Sequence, residues 1–265
     1  MVQSVVIDCF PGSVERYRQG HAIVAIDVIR ATTTAVTAVW LGRRCFPVES
    51  LAVALQTATR LTNPLLVGEI GGKMPQGFDL TNSPAQLALR SDISRPAILL
   101  STSGTQLICA AAAGCQAVYL ACFRNCASLS RYLLGRHSRI AVIGAGSRNE
   151  FREEDQMCCA FIAEELINGG YEPENQETLE IVERWSGALP SACTQGKSAA
   201  YLRSSGQLND LEFVLSHIND VHAVFKLDGD EIVMLPEDPQ FAVAGMDRTK
   251  MTDNDSTCAV PQGPA

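Results

Sequence analysis

The sequence predicts an α/β protein of three layers, helix–sheet–helix, around a mostly parallel or mixed sheet. Three observations carry this. Short apolar runs recur at 22–26, 65–67, 97–100, 117–121 and 140–143 without polar alternation, the pattern of strands covered on both faces. Segments with helical spacing separate them. The chain also echoes itself: an apolar run, a hydroxyl-rich turn, a small-residue helix, a closing glycine and a new apolar run occur from Ala22 to Val48 and again from Ala97 to Ala121. A third, weaker copy runs from Ile140 to Gly170. Repeated strand–turn–helix units of these lengths build parallel sheets covered by helices, and the echo is compatible with two related lobes.

Taken in order, residues 2–8 read as a first strand and Pro11-Gly12 as a turn, followed by a short charged stretch to Gly20. The run at 22–26 is the second strand. A helix is expected from Ala35 to Leu41, with the triple threonine 32–34 at its entrance and Gly42 at its end. Residues 45–48 are a strand, 51–61 a helix stopped by Asn63-Pro64, and 65–67 a strand. The glycine-rich loop 68–79 follows. A helix then opens at Pro84, with Asn82 or Ser83 as its cap. Strands at 97–100 and 117–121 flank a helix at 106–113, and a strand at 140–143 precedes a helix from Asp155 to Gly169. Helices are read at 177–185 and 208–215, and a hairpin at 225–235 turns around Asp228-Gly229. Residues 186–202, rich in Gly, Ser and Ala, are assigned no element. Residues 1–240 form the expected domain; 241–265 are polar and read as a loosely ordered tail.

The chain has 265 residues, 46% hydrophobic and 19% charged, enough for a sizeable core. Its formal net charge of −8 argues against nucleic acid as a partner, because a phosphate backbone needs a basic face. The ten cysteines are irregularly spaced and mostly lie in apolar runs, so they read as small buried hydrophobes rather than a disulfide framework or a zinc site. With no leader and no membrane-length apolar run, a soluble, reducing, cytoplasmic setting is expected. The alanine-rich helix 110–113 suits a sheet or a second copy, and a homodimer is the expected assembly.

Polar groups fall where open α/β sheets place their ligands, at strand carboxyl ends: Asp27 and Arg30, Glu69, the turn 101–105, and the run 152–155. Strand ends in a parallel sheet share an edge, so these would gather in one cleft. Carboxylates are the ligands Mg²⁺ prefers, while arginines and helix N-termini bind oxyanions. The inventory points to phosphoryl chemistry. The bland alternative is that Asp27 pairs with Arg30 and the threonines cap a helix. Other readings fit less well. Gly144-Ala145-Gly146 lacks the third glycine of a dinucleotide fingerprint, Gly72-Lys73 is no phosphate-binding P-loop, and Ser103 lacks a nucleophile elbow. No cysteine–arginine loop supports a thiolate mechanism, and the four histidines are scattered.

At these same residues the chain resembles the 2-phosphosulfolactate phosphatase family of coenzyme M biosynthesis. The likeness rests on Ile26-Asp27-Val28-Ile29-Arg30-Ala31-Thr32-Thr33, on Gly68-Glu69 with Gly77-Phe78-Asp79-Leu80-Thr81-Asn82-Ser83-Pro84, on Ser101-Thr102-Ser103-Gly104-Thr105, and on Gly144-Ala145-Gly146 with Phe151-Arg152-Glu153-Glu154-Asp155. It covers about residues 1–238. It implies an α/β fold, Mg²⁺ and hydrolysis of the phosphate ester of a small sulfonated hydroxy acid. The roles follow from the residue types. Asp27, Glu69 and Asp155 are the expected Mg²⁺ ligands or water-holders. Arg30 and Arg152 would bind phosphate, carboxylate or sulfonate, with Glu154 among the catalytic set. Thr32, Thr33 and the turn Ser101, Thr102, Ser103, Gly104 and Thr105 would supply oxyanion donors. Asn82 and Ser83 either join them or only cap their helix. Two mechanisms stay open: direct attack by water, which is favoured, or attack by Asp27 through an aspartyl phosphate. The non-enzymatic alternative is a binding protein or sensor for small phosphorylated or sulfonated acids.

Overall fold

A computed structural model describes residues 2–148 and 150–235. The expected polar tail, 241–265, lies outside these residues. Ten strands form one sheet. They are Ser4–Cys9 (β1), Ala22–Ile26 (β2), Cys45–Val48 (β3), Leu65–Gly68 (β4), Ala97–Leu100 (β5), Ala117–Ala121 (β6), Arg139–Gly144 (β7), Glu172–Pro173 (β8), Phe225–Asp228 (β9) and Glu231–Met234 (β10). Their spatial order is β4-β5-β3-β10-β9-β6-β2-β7-β1-β8.

The pairing divides the sheet into two parallel blocks. One is β4-β5-β3; the other is β6-β2-β7-β1-β8. The β9–β10 hairpin sits between them and pairs antiparallel with both. Its seams are narrow: β10 meets β3 at Ile232↔Cys45, and β9 meets β6 at Tyr119↔Lys226 and Leu120↔Phe225. Three successive antiparallel pairings make the blocks run in opposite directions, so their carboxyl ends do not share one straight edge as the sequence suggests. Both ends nonetheless line one cavity, which the ordinary twist of a sheet accounts for. Five strand steps separate β5 from β2, and at roughly 20–25° per step the twist reaches about 100–125°.

Helices cover both faces. Ala31–Trp40 (α1), Leu51–Ala58 (α2), Pro84–Ala88 (α3), Gly104–Ala112 (α4) and Cys126–Leu133 (α5) come first. Glu153–Asn168 (α6), Gln176–Trp185 (α7), Lys197–Ser204 (α8) and Leu208–Ser216 (α9) follow. Strand β2 shows the layering directly. Ile23 and Ala25 pack with α1 and α4 on one face, while Ala22, Val24 and Ile26 pack with α5 and α6 on the other. All five are fully buried, which is why the run shows no polar alternation. The helices at 31, 104 and 153 start two to four residues earlier than the apolar spacing predicts, because their first turns carry the polar residues of the site. The unread segments 126–133 and 197–204 are helices. Both are only eight residues long, too short to be stable alone, and depend on packing.

The nine described cysteines are all free, and seven are buried. Among the described residues no helix is long and apolar enough to cross a membrane.

One contact finishes the β1 edge. Strand β8 is only two residues long, so the Ile7 N–H has no strand partner on that side; it donates to Thr178 Oγ1 of α7 at 3.0 Å. Thr178 is fully buried and also donates to Asn175 Oδ1 at 2.8 Å. Thr178→Val leaves the Ile7 N–H unsatisfied and should lower unfolding free energy by about 1–3 kcal/mol in urea. An unchanged denaturation midpoint would show that water replaces the hydroxyl.

Candidate active site

Loops from both blocks open into one cavity of about 500 Å³. Asp27 and Arg30 come from the β2–α1 turn, Glu69 from the end of β4, and Thr102 and Ser103 from the β5–α4 turn. The β7–α6 loop contributes Gly146, Ser147, Arg148 and Glu150, then Arg152 and Asp155 at the helix start. Lys197, Ser198 and Tyr201 of α8 close the other side.

Four helices begin at this cavity: α1, α4, α6 and α8. None has a hydrogen bond from its N-cap side chain, and neither do α5 and α9, whereas α2, α3 and α7 are capped by Ser50, Ser83 and Asn175. The Ala31 N–H of α1 is taken by Asp27 and the Thr105 N–H of α4 by Ser101 Oγ, so these starts bring the cavity mainly their partial positive charge. The α4 start touches the α1 turn directly. A Cβ on Gly104 would stand 2.2 Å from Asp27 Oδ2 and 2.6 Å from Ala31 Cβ, so no side chain fits there.

Asp27 is buried at the floor. Burial pushes its carboxyl up to about 7, the Ala31 N–H and Arg30 oppose this, and Glu69 and Glu154 add to it. Asp155 is raised too, by burial first and then by Asp27 and Glu154. Its Oδ1 accepts from Val28 N at 2.8 Å and its Oδ2 from Gly146 N at 3.2 Å. The Gly144-Ala145-Gly146 turn therefore holds Asp155 rather than a dinucleotide. A Cβ on Gly146, which has φ 60°, would meet Phe10, Cys9 and the Glu150 carbonyl within 3 Å.

Glu69 is engaged as well. It accepts from Thr102 N at 2.7 Å, Thr102 Oγ1 at 2.8 Å and Gly72 N at 2.6 Å. Glu154 lies outside the cavity lining, 1% exposed, and neither oxygen has a hydrogen-bond partner of good geometry. Burial raises its carboxyl, with the nearby Ser198 hydroxyl offsetting part of the effect. Asn82 Oδ1 is a second buried, unpartnered oxygen, and Asn82 does line the cavity.

Several expected oxyanion donors are occupied elsewhere. The Thr32 and Thr33 hydroxyls donate to the Asp27 and Val28 carbonyls at 2.8 and 2.7 Å. Ser101 and Thr105 bond each other: Thr105 N donates to Ser101 Oγ and Ser101 N to Thr105 Oγ1. Ser83 caps α3 and donates to Asp210 Oδ1 at 2.6 Å. These hydroxyls shape the turns; Thr102 and Ser103 are the members of the set that line the cavity.

The cationic side is richer than the sequence reading held. Arg30 pairs with Asp210, Arg152 with Glu150 at 3.1 Å, and Lys197 with Glu150 at 2.6 Å. The Arg152 Nε is buried without a partner. Arg148, Lys197, Tyr201 and Asp210 were not singled out by sequence. Lys197 and Tyr201 lie in or beside the Gly/Ser/Ala-rich stretch with no strand-end signal. Arg148 follows Gly146 closely and was within reach of the strand-end argument.

The family model for 2-phosphosulpholactate phosphatase matches residues 10–233. The chain belongs to that family. It is therefore a phosphoric monoester hydrolase by kinship. A probable 2-phosphosulfolactate phosphatase of Pseudothermotoga lettingae is 36% identical over 153 residues, 57% of this chain and 65% of the relative, just under two thirds of that protein. One from Symbiobacterium thermophilum is 31% identical over 203 residues, 73% and 86% of the two chains. One from Clostridium perfringens is 28% identical over 223 residues, 81% and 89%.

Two outcomes follow from the crowded floor. Gly104→Ala drives a methyl into the Asp27 carboxylate and should lower phosphate release by about 10²-fold or more, since small displacements in a reacting site have effects of that size; near-normal turnover would mean the α4 start can retreat. The raised Asp27 carboxyl also sets a sign. Folded Asp27 keeps its proton up to about pH 7 while the unfolded group loses it near 3.8, so this group's contribution to stability is present below 3.8 and lost as pH rises to 7. In metal-free buffer, Asp27→Asn should gain melting temperature relative to wild type progressively from pH 4 to pH 7. A difference that stays flat across that window would contradict the raised pKa.

Proposed function

We propose that the protein is a Mg²⁺-dependent phosphatase that hydrolyses the phosphate monoester of a small sulfonated hydroxy acid, (2R)-phospho-3-sulfolactate to 3-sulfolactate and phosphate. Family membership supports the reaction class. The observation that carries the reading is the cavity itself, which combines the buried Asp27 carboxylate with arginines and the starts of four helices.

The residues suit Mg²⁺ in a particular way. Among the described residues no group of three or more His, Cys, Asp and Glu side chains is arranged to hold an ion by itself. Mg²⁺ commonly takes one or two carboxylates and completes its shell with water and phosphate oxygens. Asp27 would hold it, while Glu154 and Asn82 carry the unpartnered oxygens of the neighbourhood. Glu69 and Asp155, expected as ligands, already accept several hydrogen bonds and fit better as supports. The ion would supply positive charge against the charge developing on the phosphoryl oxygens.

The chain's own groups do the rest. Asp27 orients the attacking water. Arg30 and the α4 start at Ser103 hold the phosphoryl oxygens. Arg152, with its free Nε, and Lys197 face the carboxylate and sulfonate. Water attacks phosphorus, the ester P–O bond breaks, and the proton the water gives up ends on the departing alkoxide, which becomes the hydroxyl of the product.

The test is phosphate release from 2-phospho-3-sulfolactate, phospholactate and an aryl phosphate, with Mg²⁺ and with chelator. Preference for the sulfonated ester, lost in chelator, is the expected result. Equal rates on all three would keep the phosphatase and remove the named substrate. No release from any would favour a small-anion binding protein. Asp27→Asn should lose about 10³-fold or more, and acid quenching of a phosphorus-labelled reaction should trap no phosphoprotein. A labelled Asp27 would overturn direct attack by water.

A further inference from the structure

We propose that Asp210 is a positioning residue for this reaction, holding Arg30 in the orientation that receives the phosphoryl oxygens; the inference rests on the phosphatase reading above. Asp210 lies in the first turn of α9 and is 2% exposed. It does not line the cavity. Its Oδ2 accepts from Arg30 Nη1 at 2.5 Å, and its Oδ1 accepts from Ser83 Oγ at 2.6 Å and from Ala85 N at 3.2 Å. One carboxylate thus joins three segments: the β2–α1 turn, the α3 start and α9.

Arg30 is itself 5% exposed and lines the cavity. Its Nη1 is shared between Asp210 Oδ2 and Gln207 Oε1. Two acceptors on one terminal nitrogen fix the planar guanidinium against rotation. Among the described residues its Nε and Nη2 have no hydrogen-bond partner, so the grip on Nη1 leaves the other side of the fork for a ligand. Stability alone is a poor reason for this arrangement, because a buried ion pair is often matched or bettered by apolar side chains of similar volume. Orientation is the better reason. Ser83 extends the effect, since it binds Asp210 and directly follows Asn82, which lines the same cavity and has a buried, unpartnered Oδ1.

A double-mutant cycle with chemical rescue decides this. Asp210→Asn should lower kcat/KM by about 10²-fold, the size of effect expected when a binding group is misplaced. Arg30→Ala should lose more, and Arg30→Ala/Asp210→Asn should lie within about threefold of Arg30→Ala alone, because coupled residues are not additive. Guanidinium ion should restore activity to Arg30→Ala and not to the double variant, since Asp210 is what holds the added ion. Losses that multiply, or equal rescue of both, would overturn the proposal. Should Asp210→Asn fail to fold, the apolar pair Arg30→Met/Asp210→Leu fills the same volume; it should match Arg30→Met within about threefold, and a further tenfold loss would overturn the proposal. Should the wild-type enzyme release no phosphate from any ester, the functional reading fails, and the cycle is then read by calorimetry with inorganic phosphate. Asp210→Asn should weaken that affinity about tenfold without adding to Arg30→Ala. Unchanged affinity would sink the positioning role independently.

Discussion

The site depends on one buried carboxylate, Asp155, that ties two loops together. It stands in the first turn of α6 and accepts the N–H of Val28 and of Gly146. Those groups follow adjacent parallel strands, β2 and β7, so Asp155 sets the spacing between the turn that carries Asp27 and the loop that carries Arg148. Burial and the neighbouring Asp27 and Glu154 oppose its ionised form. The two N–H donors and the α6 start favour it. An apolar residue there would relieve the repulsion and release both loops, so geometry rather than local stability accounts for the carboxylate.

A second constraint is the place of the β9–β10 hairpin. Coming last among the described strands, it sits in the middle of the sheet and reverses the direction of one parallel block against the other. The ordinary twist of a sheet is what lets the two halves of such a cavity meet. The Glu69 and Thr102–Ser103 loops belong to one block, and the Asp27 and Arg148–Asp155 segments to the other. The close approach of Gly104 to Asp27 and Ala31 is one place where the blocks touch, and a glycine is what that approach admits.

Most strands were legible because each is an apolar run with no competing reading; 22–26 and 97–100 needed only composition. The hairpin at Asp228-Gly229 was legible from its turn, but its partners were not, since strand pairing is a long-range property that local pattern does not encode. Helix α8 was missed because its eight residues, opening inside the Gly/Ser/Ala-rich stretch, are too few to hold a helix alone; it takes its stability from packing against α9 and the 3-10 turn at 190–195. The site shows the same division. Asp27, Arg30, Glu69 and Asp155 stood out as charges at strand ends. Thr32, Thr33, Ser101 and Thr105 looked like ligand donors because a hydroxyl at a helix entrance reads the same whether it faces a ligand or the backbone. Asp210 gave no signal, being an acidic residue in an ordinary amphipathic helix whose importance lies in a partner far away in sequence.

Charge accounting within the cavity bears on the proposed chemistry. Four acidic side chains line it, Asp27, Glu69, Glu150 and Asp155, and four basic ones, Arg30, Arg148, Arg152 and Lys197. The cavity is therefore formally neutral within a chain of net charge −8. A phosphorylated sulfonate with a carboxylate brings several negative charges into it, and most of the cations present are already answered by Asp210 or Glu150. Backbone N–H groups at helix starts contribute only fractional charge. A divalent cation arriving with the substrate would restore the balance beside Asp27, the buried carboxyl that lines the cavity. Burial is the main reason the floor carboxyls of Asp27 and Asp155 are raised, and the neighbouring carboxylates add to it; a cation bound beside them would favour their ionised forms.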